Sequence, residues 1–239
     1  MRKKLGIIGG MGSHAAAWLF KRIVDLSYGQ RDQEYIEILL HNNTAIPDRT
    51  RAIVYKEASA LPELIRTVRM FNDNDIDVAV MACLTAYYYK PSLAAVFNGD
   101  FIDPVELTTE AIRDLFPDPK GLTVGVIAST GALRSGIFQK ALNPLGIDVI
   151  SLAGAEQEQY FMRPIYMEGG AKSGDILPEA SKLFAQQVPL LKELGADMIL
   201  GACSEVPLLL RPQQVDMPYI DVFDHLAHKV VDTCYCHHL

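Results

Sequence analysis

The chain carries one short pattern twice, about half its length apart. Asp77–Cys83 reads Asp-Val-Ala-Val-Met-Ala-Cys, and Asp197–Cys203 reads Asp-Met-Ile-Leu-Gly-Ala-Cys. In both copies an acid precedes an apolar run that ends at a cysteine, and the copies are 120 positions apart in a chain of 239 residues. Because the repeated unit is a half-chain, the pattern predicts two similar lobes and not a solenoid.

Two further landmarks repeat in the same order as the cysteine motif. Gly6–Gly10 aligns with Gly125–Ser129 at an offset of 119 residues, and Phe101–Asp103 aligns with Tyr219–Asp221 at an offset of 118. Near-constant spacing over three landmarks supports a duplication that covers most of the chain.

Hydrophobic patterning predicts strands that alternate with helices. Short apolar segments bounded by Gly, Pro, Asn or Asp predict strands at Lys4–Ile8, Tyr35–Leu40, Val78–Met81, Phe101–Ile102, Thr123–Ile127, Asp148–Ile150, Met198–Leu200 and Tyr219–Ile220. Helices are predicted over His14–Ser27, Val54–Asn72, Gly131–Leu145, Pro178–Leu194 and Val222–Cys236. Such alternation is typical of parallel sheets covered by helices on both faces.

We therefore predict an α/β protein of two Rossmann-like lobes. Each lobe is a parallel-type sheet flanked by helices, and a pseudo-twofold axis relates the lobes, with the active site in the cleft between them. The breakers in Phe116–Gly121 mark the predicted linker, and the last helix is expected to pack on the first lobe. The predicted lobes are residues 1–117 plus 222–239, which carry Cys83, and residues 118–221, which carry Cys203.

Composition narrows the class of partner. The net charge of −7 argues against nucleic acid or an anionic membrane as the main partner, because both require a basic surface.

No apolar stretch approaches the roughly 18 residues that span a bilayer. The basic start leads into a short apolar run and then glycines, which indicates a first strand and not a signal peptide. A cytoplasmic, reducing compartment and free thiols are expected.

The duplicated cysteines point to proton transfer. A single cysteine after an apolar strand is usually part of the core. Cys83 and Cys203, however, stand at matched strand ends, each before a predicted helix whose N-terminus favours a thiolate. Two thiols on opposite faces of one carbon can remove a proton from one side and return it to the other. That chemistry is racemisation or epimerisation without a cofactor.

Four motifs together resemble the aspartate/glutamate racemase superfamily, and its aspartate racemase branch in particular. They are the glycine loop Gly6–Gly12, the Ile-Pro-Asp-Arg-Thr segment Ile46–Thr50, the first cysteine motif Met81–Ala86 and the second cysteine motif Gly201–Leu209. After the first strand this chain has Gly-Gly-Met, where the glutamate racemase branch carries an Asp-Ser pair.

The resemblance implies an amino acid racemase that uses neither pyridoxal phosphate nor a metal and usually forms a homodimer. Cys83 would act on the D-face and Cys203 on the L-face of a small dicarboxylic amino acid, aspartate. Arg49 and Lys172 would hold its side-chain carboxylate, a task suited to a bidentate guanidinium and an ammonium. The remaining substrate-binding candidates are Met11, Thr85, Thr130, Ser204 and Glu205. Thr130 either binds the α-carboxylate or caps the helix predicted after it.

Two departures from the family pattern leave the substrate open. Leu84 stands where asparagine is usual, and Tyr87 stands where histidine is common, whereas Ser204 keeps the hydroxyl of the usual threonine. The alternatives are a glutamate or broader acidic amino acid racemase, or a related activity such as hydantoin racemase or maleate isomerase. A non-catalytic dicarboxylate-binding protein is the alternative of another class.

Two weaker motifs are better explained without cofactors. The glycine loop is not G-x-G-x-x-G, and the second predicted strand ends in Leu40–Asn43 without the acid that would bind a ribose. The tail Cys234–His238 lacks the ligand spacing of a structural zinc site.

Overall fold

A computed structural model describes residues 2–235 and divides the chain into two compact units. The first unit contains the residues up to Asp103 together with those from Asp224 onward, and the second unit is Pro104–Phe223. The predicted linker Phe116–Gly121 therefore lies within the second unit. Cys236, His237 and His238 of the metal-like tail lie outside the described residues.

All eight predicted strands are present, and their bounds differ from the predicted ones by a few residues at most. They are β1 (Leu5–Gly9), β2 (Ile38–Asn42), β3 (Val78–Met81), β4 (Asp100–Phe101), β5 (Thr123–Ile127), β6 (Asp148–Ile150), β7 (Met198–Gly201) and β8 (Tyr219–Asp221). Every residue of β1, β3 and β7 is buried, which is the pattern of parallel strands covered on both faces.

Each unit is built on one four-stranded parallel sheet. The first sheet has the order β2-β1-β3-β4, and the second has the order β6-β5-β7-β8. The second order is the first with every strand number raised by four, so both halves of the chain have one topology. The predicted α/β class with two parallel, helix-flanked sheets is confirmed.

Thirteen α-helices connect and cover the strands in the described part of the chain. They are α1 (Ser13–Leu26), α2 (Arg49–Val54), α3 (Leu61–Asp73), α4 (Lys90–Ala94), α5 (Pro104–Leu115), α6 (Thr130–Ser135), α7 (Ile137–Leu142), α8 (Gly154–Gln157), α9 (Arg163–Tyr166), α10 (Pro178–Ala185), α11 (Gln187–Glu193), α12 (Val206–Leu209) and α13 (Val222–Tyr235). A π-helical turn, Glu158–Met162, joins α8 to α9. None of the helices within residues 2–235 is long and apolar enough to cross a membrane.

One predicted helix, Val54–Asn72, is wrong in its first half. The chain leaves α2 after Val54 and begins α3 only at Leu61. Lys56 has a φ of +59°, which a right-handed helix does not allow. Pro62 lies in the first turn of α3, where its missing N–H costs no hydrogen bond.

Two other predicted helices are each divided in two. The segment Gly131–Leu145 breaks at Gly136, which has a φ of +68° and ends α6. The segment Pro178–Leu194 breaks at Gln186. Pro189 explains this second break, because it has no N–H to donate to the carbonyl of Ala185 and its ring crowds that turn.

The acid of the repeated motif has the same structural role in both sheets. Asp77 Oδ2 accepts a hydrogen bond from the backbone N–H of Lys4 at 2.8 Å, and Asp197 Oδ2 accepts one from Thr123 N–H at 2.8 Å. Each acid thus ties the amino end of its own strand to that of the neighbouring strand. The repeat therefore has an anchoring carboxylate at one end and a cysteine at the other.

Each unit has its own apolar core, and polar contacts join α13 to the first unit. Phe71 and Leu64 of α3 are fully buried in the first unit, as are Phe184 of α10 and Leu191 of α11 in the second. Helix α13 is joined to the first unit by the backbone hydrogen bond from Lys3 N–H to the Cys234 carbonyl at 2.9 Å, and by Tyr235 to Glu34 and Asp224 to Arg22.

Candidate active site

The two motif cysteines lie at equivalent places in the two sheets. Cys83 lies two positions after the end of β3 and Cys203 two positions after the end of β7, and they are 6% and 7% exposed. The residue before each cysteine donates its N–H to the carbonyl of the neighbouring strand, from Ala82 to Ile8 at 2.9 Å and from Ala202 to Ile127 at 2.8 Å. Both thiols are therefore held at the carboxyl edge of a parallel sheet, where α/β proteins bind ligands.

The chain turns directly after each cysteine, but no long α-helix begins there. Cys83 is followed by the 3₁₀ helix Leu84–Tyr89, and Cys203 by a turn that leads into the single-turn helix α12. In both places the cysteine carbonyl accepts the N–H of the residue three positions on, Ala86 or Val206, at 3.1 Å. The predicted helix N-termini are thus short turns, with fewer aligned peptide dipoles than a full α-helix.

In the first unit, Arg49 and Met11 are brought together. Arg49 is buried at the start of α2, where Asp48 caps the helix. Its Nη2 donates to the Met11 carbonyl at 2.8 Å and its Nη1 donates to the Pro47 carbonyl at 3.0 Å. The guanidinium therefore joins the glycine loop after β1 to the loop before α2. Met11 and Cys83 belong to one cluster of buried side chains.

Asn43, at the end of β2, supports the same glycine loop, and sequence reasoning missed it. Gly10 has a φ of +83°, and a Cβ placed there would come within 2.2 Å of the Asn43 carbonyl carbon. The buried Asn43 side chain donates to Thr67 Oγ1 at 3.2 Å and to Glu63 Oε2 at 3.1 Å, and accepts from Arg66 at 2.9 Å. The polar run that closes the second strand was the available signal in the sequence.

Tyr87 and Thr85 lie in the 3₁₀ helix that follows Cys83, and both are buried. The Tyr87 hydroxyl accepts a hydrogen bond from the Met81 N–H at 3.1 Å. Burial raises the pKa of Tyr87 well above its ordinary value, and Asp103 and Cys83 raise this pKa further. The phenol therefore stays neutral in this setting and anchors the turn to β3.

In the second unit, Glu205 is the centre of the predicted site. Its buried carboxylate, 4% exposed, accepts hydrogen bonds from Cys203 Sγ at 3.0 Å and from Ser204 Oγ at 2.9 Å. Lys172 Nζ forms an ion pair with the other carboxylate oxygen. Burial would raise the pKa of Glu205, but the Lys172 charge and the hydrogen bonds from Cys203, Lys172 and Ser204 outweigh it and hold this pKa below its usual range.

The loop that carries Lys172 is fixed by backbone contacts. Ala171 N–H donates to the Pro164 carbonyl at 3.0 Å, and Lys172 N–H donates to the Ile165 carbonyl at 3.2 Å. These bonds tie the loop to α9, so that Lys172 reaches Glu205 across 33 positions of sequence. Three of the predicted residues of this unit, Lys172, Cys203 and Ser204, therefore each contact a fourth, Glu205.

Thr130 does not cap α6. Thr130 is the first residue of α6, and the N-cap is Ser129, whose Oγ accepts the Ala132 N–H at 3.2 Å. The alternative in which Thr130 caps the helix is wrong by one residue, because the helix starts earlier than predicted. Within residues 2–235, no group of three or more His, Cys, Asp or Glu side chains is placed to hold a metal ion.

A comparison with known protein families identifies the family of this chain. The profile described as Asp/Glu/hydantoin racemase matches residues 8–230. The chain belongs to the Asp/Glu/hydantoin racemase family. It is thus related to amino acid racemases, which are isomerases.

The chain is similar to three racemases whose named specificities differ. The broad specificity amino-acid racemase RacX of Bacillus subtilis is 23% identical over 235 residues, which cover 96% of this chain and 97% of RacX. A glutamate racemase of Carboxydothermus hydrogenoformans is 33% identical over 165 residues, or 67% of this chain and 56% of that protein. The structure of Picrophilus torridus aspartate racemase superposes with a TM-score of 0.83 and 23% identity, over 98% of this chain and 94% of that chain.

Proposed function

We propose that this protein is a pyridoxal-independent amino acid racemase that interconverts L- and D-aspartate with two cysteines. The observation that carries the proposal is the equivalence of Cys83 and Cys203, each buried two positions after the strand of its own copy of the Asp-to-Cys motif. A protein that only bound a ligand would have no need for a thiol at both positions. Membership of a racemase family supports the same chemistry.

In the proposed reaction one cysteine thiolate removes the proton from the substrate Cα, and the other cysteine, as a thiol, donates a proton to the opposite face. Each such acid–base contribution is worth about 10²–10⁴ in rate. Arg49 and Lys172 are proposed to bind the side-chain carboxylate of the substrate and so to orient its Cα for proton transfer. Met11, Thr85, Thr130, Ser204 and Glu205 are proposed to shape the site.

Aspartate is the proposed substrate because the motifs resemble the aspartate racemase branch. A second candidate is a racemase of broader specificity, and Leu84 favours it. This fully buried apolar side chain directly follows Cys83, where the family usually has asparagine. Similarity to a broad specificity racemase and to a glutamate racemase supports testing several amino acids.

The deciding experiment is α-proton exchange followed by NMR in D₂O with reductant present. L- and D-aspartate, L- and D-glutamate and a set of neutral amino acids are each incubated with the full chain. We expect deuterium at Cα together with inversion of aspartate. Faster turnover of glutamate or of neutral amino acids would contradict aspartate as the preferred substrate. It would not contradict the two-cysteine reaction.

Three matched variants test the roles of the thiols. Cys83→Ser and Cys203→Ser are each expected to lower inversion by at least about a hundredfold. Cys234→Ser is the control, because Cys234 is also a buried cysteine but lies in α13, outside the repeated motif. A folded protein that binds aspartate without exchanging its α-proton would contradict the racemase and favour the non-catalytic dicarboxylate-binding protein.

The homodimer and the cytoplasmic location expected from the sequence stay predictions. Light scattering coupled to size-exclusion chromatography measures the first directly. The mass of a single chain at every protein concentration tested would contradict it.

A further inference from the structure

The surroundings of the two motif cysteines differ in charge. Cys203 Sγ lies 3.0 Å from Glu205 Oε2, and the geometry is that of a thiol donating to a carboxylate. The aligned positions of the first unit, Leu84 and Thr85, carry no charge. The backbone arrangement is therefore the same at both cysteines. The two residues that follow each cysteine differ, and only Cys203 is followed by a charged side chain.

Glu205 is suited to accept a hydrogen bond from the thiol but not to become protonated by it. Its carboxylate is buried, paired with Lys172 and hydrogen-bonded by Ser204, and its pKa is lowered by these partners. A carboxylate that stays ionised favours the neutral thiol of its neighbour, because a thiolate there would place two negative charges about 3 Å apart. The ionised carboxylate also gains the hydrogen bond that only the protonated thiol can donate.

We infer that Glu205 is a positioning residue that holds Cys203 as a thiol in the free protein, so that Cys203 is ready to act as the proton donor. This inference rests on the proposed two-cysteine racemisation. In the direction in which Cys203 is the donor, the Cys83 thiolate takes the Cα proton, and the Cys203 thiol gives its own proton to the opposite face. The cycle leaves a thiol at Cys83 and a thiolate at Cys203. Loss of one proton to water and gain of another restore the resting form.

Steady-state rates alone do not test this asymmetry. The two enantiomers have the same free energy, so kcat/KM must be equal in the two directions whatever the resting proton distribution. The chemical reactivity of each thiol in the absence of substrate is the direct readout, because the thiolate is the form that is alkylated.

The experiment is alkylation of the full chain by iodoacetamide at neutral pH without substrate, with the rate at each cysteine measured by peptide mass spectrometry. In Glu205→Gln, which keeps the shape and removes the charge, the rate at Cys203 is expected to rise roughly tenfold. The rate at Cys83 is expected to stay unchanged. Cys234, fully buried in α13, reports unfolding in the same sample, since it becomes reactive only if the fold opens.

Two further variants separate charge from shape. Glu205→Asp shortens the side chain but keeps the carboxylate, and Ser204→Ala removes the 2.9 Å hydroxyl contact but leaves the charge in place. In both, Cys203 is expected to react within about threefold of the wild-type rate. An unchanged rate at Cys203 in Glu205→Gln, or an equal rise in Glu205→Asp, would overturn the inference. The outcome does not depend on turnover, so it is distinct from failure of the proposed racemase activity.

Discussion

Arg49 Nη2 donates to the carbonyl oxygen of Met11 at 2.8 Å, so the first residue of α2 is fixed to the loop that follows β1. A second donor of the same guanidinium binds the Pro47 carbonyl at 3.0 Å. Arg49 therefore has a structural task beside the substrate-binding task proposed for it. The two tasks are separable by experiment.

Arg49→Met is expected to lower the free energy of unfolding by about 1.5–3 kcal/mol, because charged hydrogen bonds to two carbonyls are lost. If the proposed function holds, the KM for aspartate rises as well. Urea denaturation measures the first effect and steady-state kinetics the second. Arg51→Met is the control in the same helix, since Arg51 is exposed and bonded to Glu57, and it is expected to change stability by at most about 1 kcal/mol. Equal losses in the two variants would contradict the structural role of Arg49.

Gly10→Ala is expected to destabilise the protein by more than about 2 kcal/mol, since a Cβ at a φ of +83° would also lie 2.2 Å from Asn43 backbone atoms. Gly121→Ala is the matched control, because Gly121 has a φ of +81° with nothing within 4 Å of the added atom. Its expected cost is about 1 kcal/mol, from backbone conformation alone. Thermal unfolding of both variants measures the difference, and equal costs would show that the close approach to Asn43 is unimportant.

Glu205→Gln is expected to destabilise the protein more at neutral pH than in acid. The folded-state pKa of Glu205 is lowered, so its ionisation stabilises the fold fully above the unfolded-state pKa of 4.5. That stabilisation is lost as the pH falls through the lower folded-state pKa. The difference in free energy of unfolding between wild type and variant is measured by urea denaturation at neutral pH and near pH 3. Glu179→Gln, at an exposed acid of α10, is expected to change stability little at either pH. A difference for Glu205→Gln that grows in acid would contradict the assigned sign.

Tyr87→Phe is expected to lower the free energy of unfolding by about 1–2 kcal/mol, because the buried Met81 N–H would lose its partner. Racemisation is expected to persist within a few-fold, since a phenol with a raised pKa does not exchange protons at neutral pH. Tyr88→Phe is the control, as Tyr88 is 46% exposed and its ring contact with Tyr89 survives the change. Loss of activity in Tyr87→Phe with stability intact would give this hydroxyl a part in the chemistry.

Local sequence was enough to predict the strands and the first and last helices. Each strand is short, apolar and bounded by residues that end regular structure, so its identity depends on neighbours in sequence. The duplicated motif placed both thiols at strand ends for the same reason. The helix breaks at Gly136 and before Pro189 also had local causes, although the apolar periodicity that runs through them concealed both.

Tertiary structure alone decided which polar groups from distant segments meet. Lys172 reaches Glu205 over 33 positions of sequence, and Gly10 packs on Asn43 from the neighbouring strand. Neither contact produces a periodic pattern in the sequence, because a contact between distant segments depends on the path of the chain and not on local propensity. The sequence by itself determined two parallel α/β units, each with a cysteine at the same strand end. The fold then placed a paired carboxylate against one of those cysteines, since burial makes an unpaired charge costly and so fixes Glu205 among its donors.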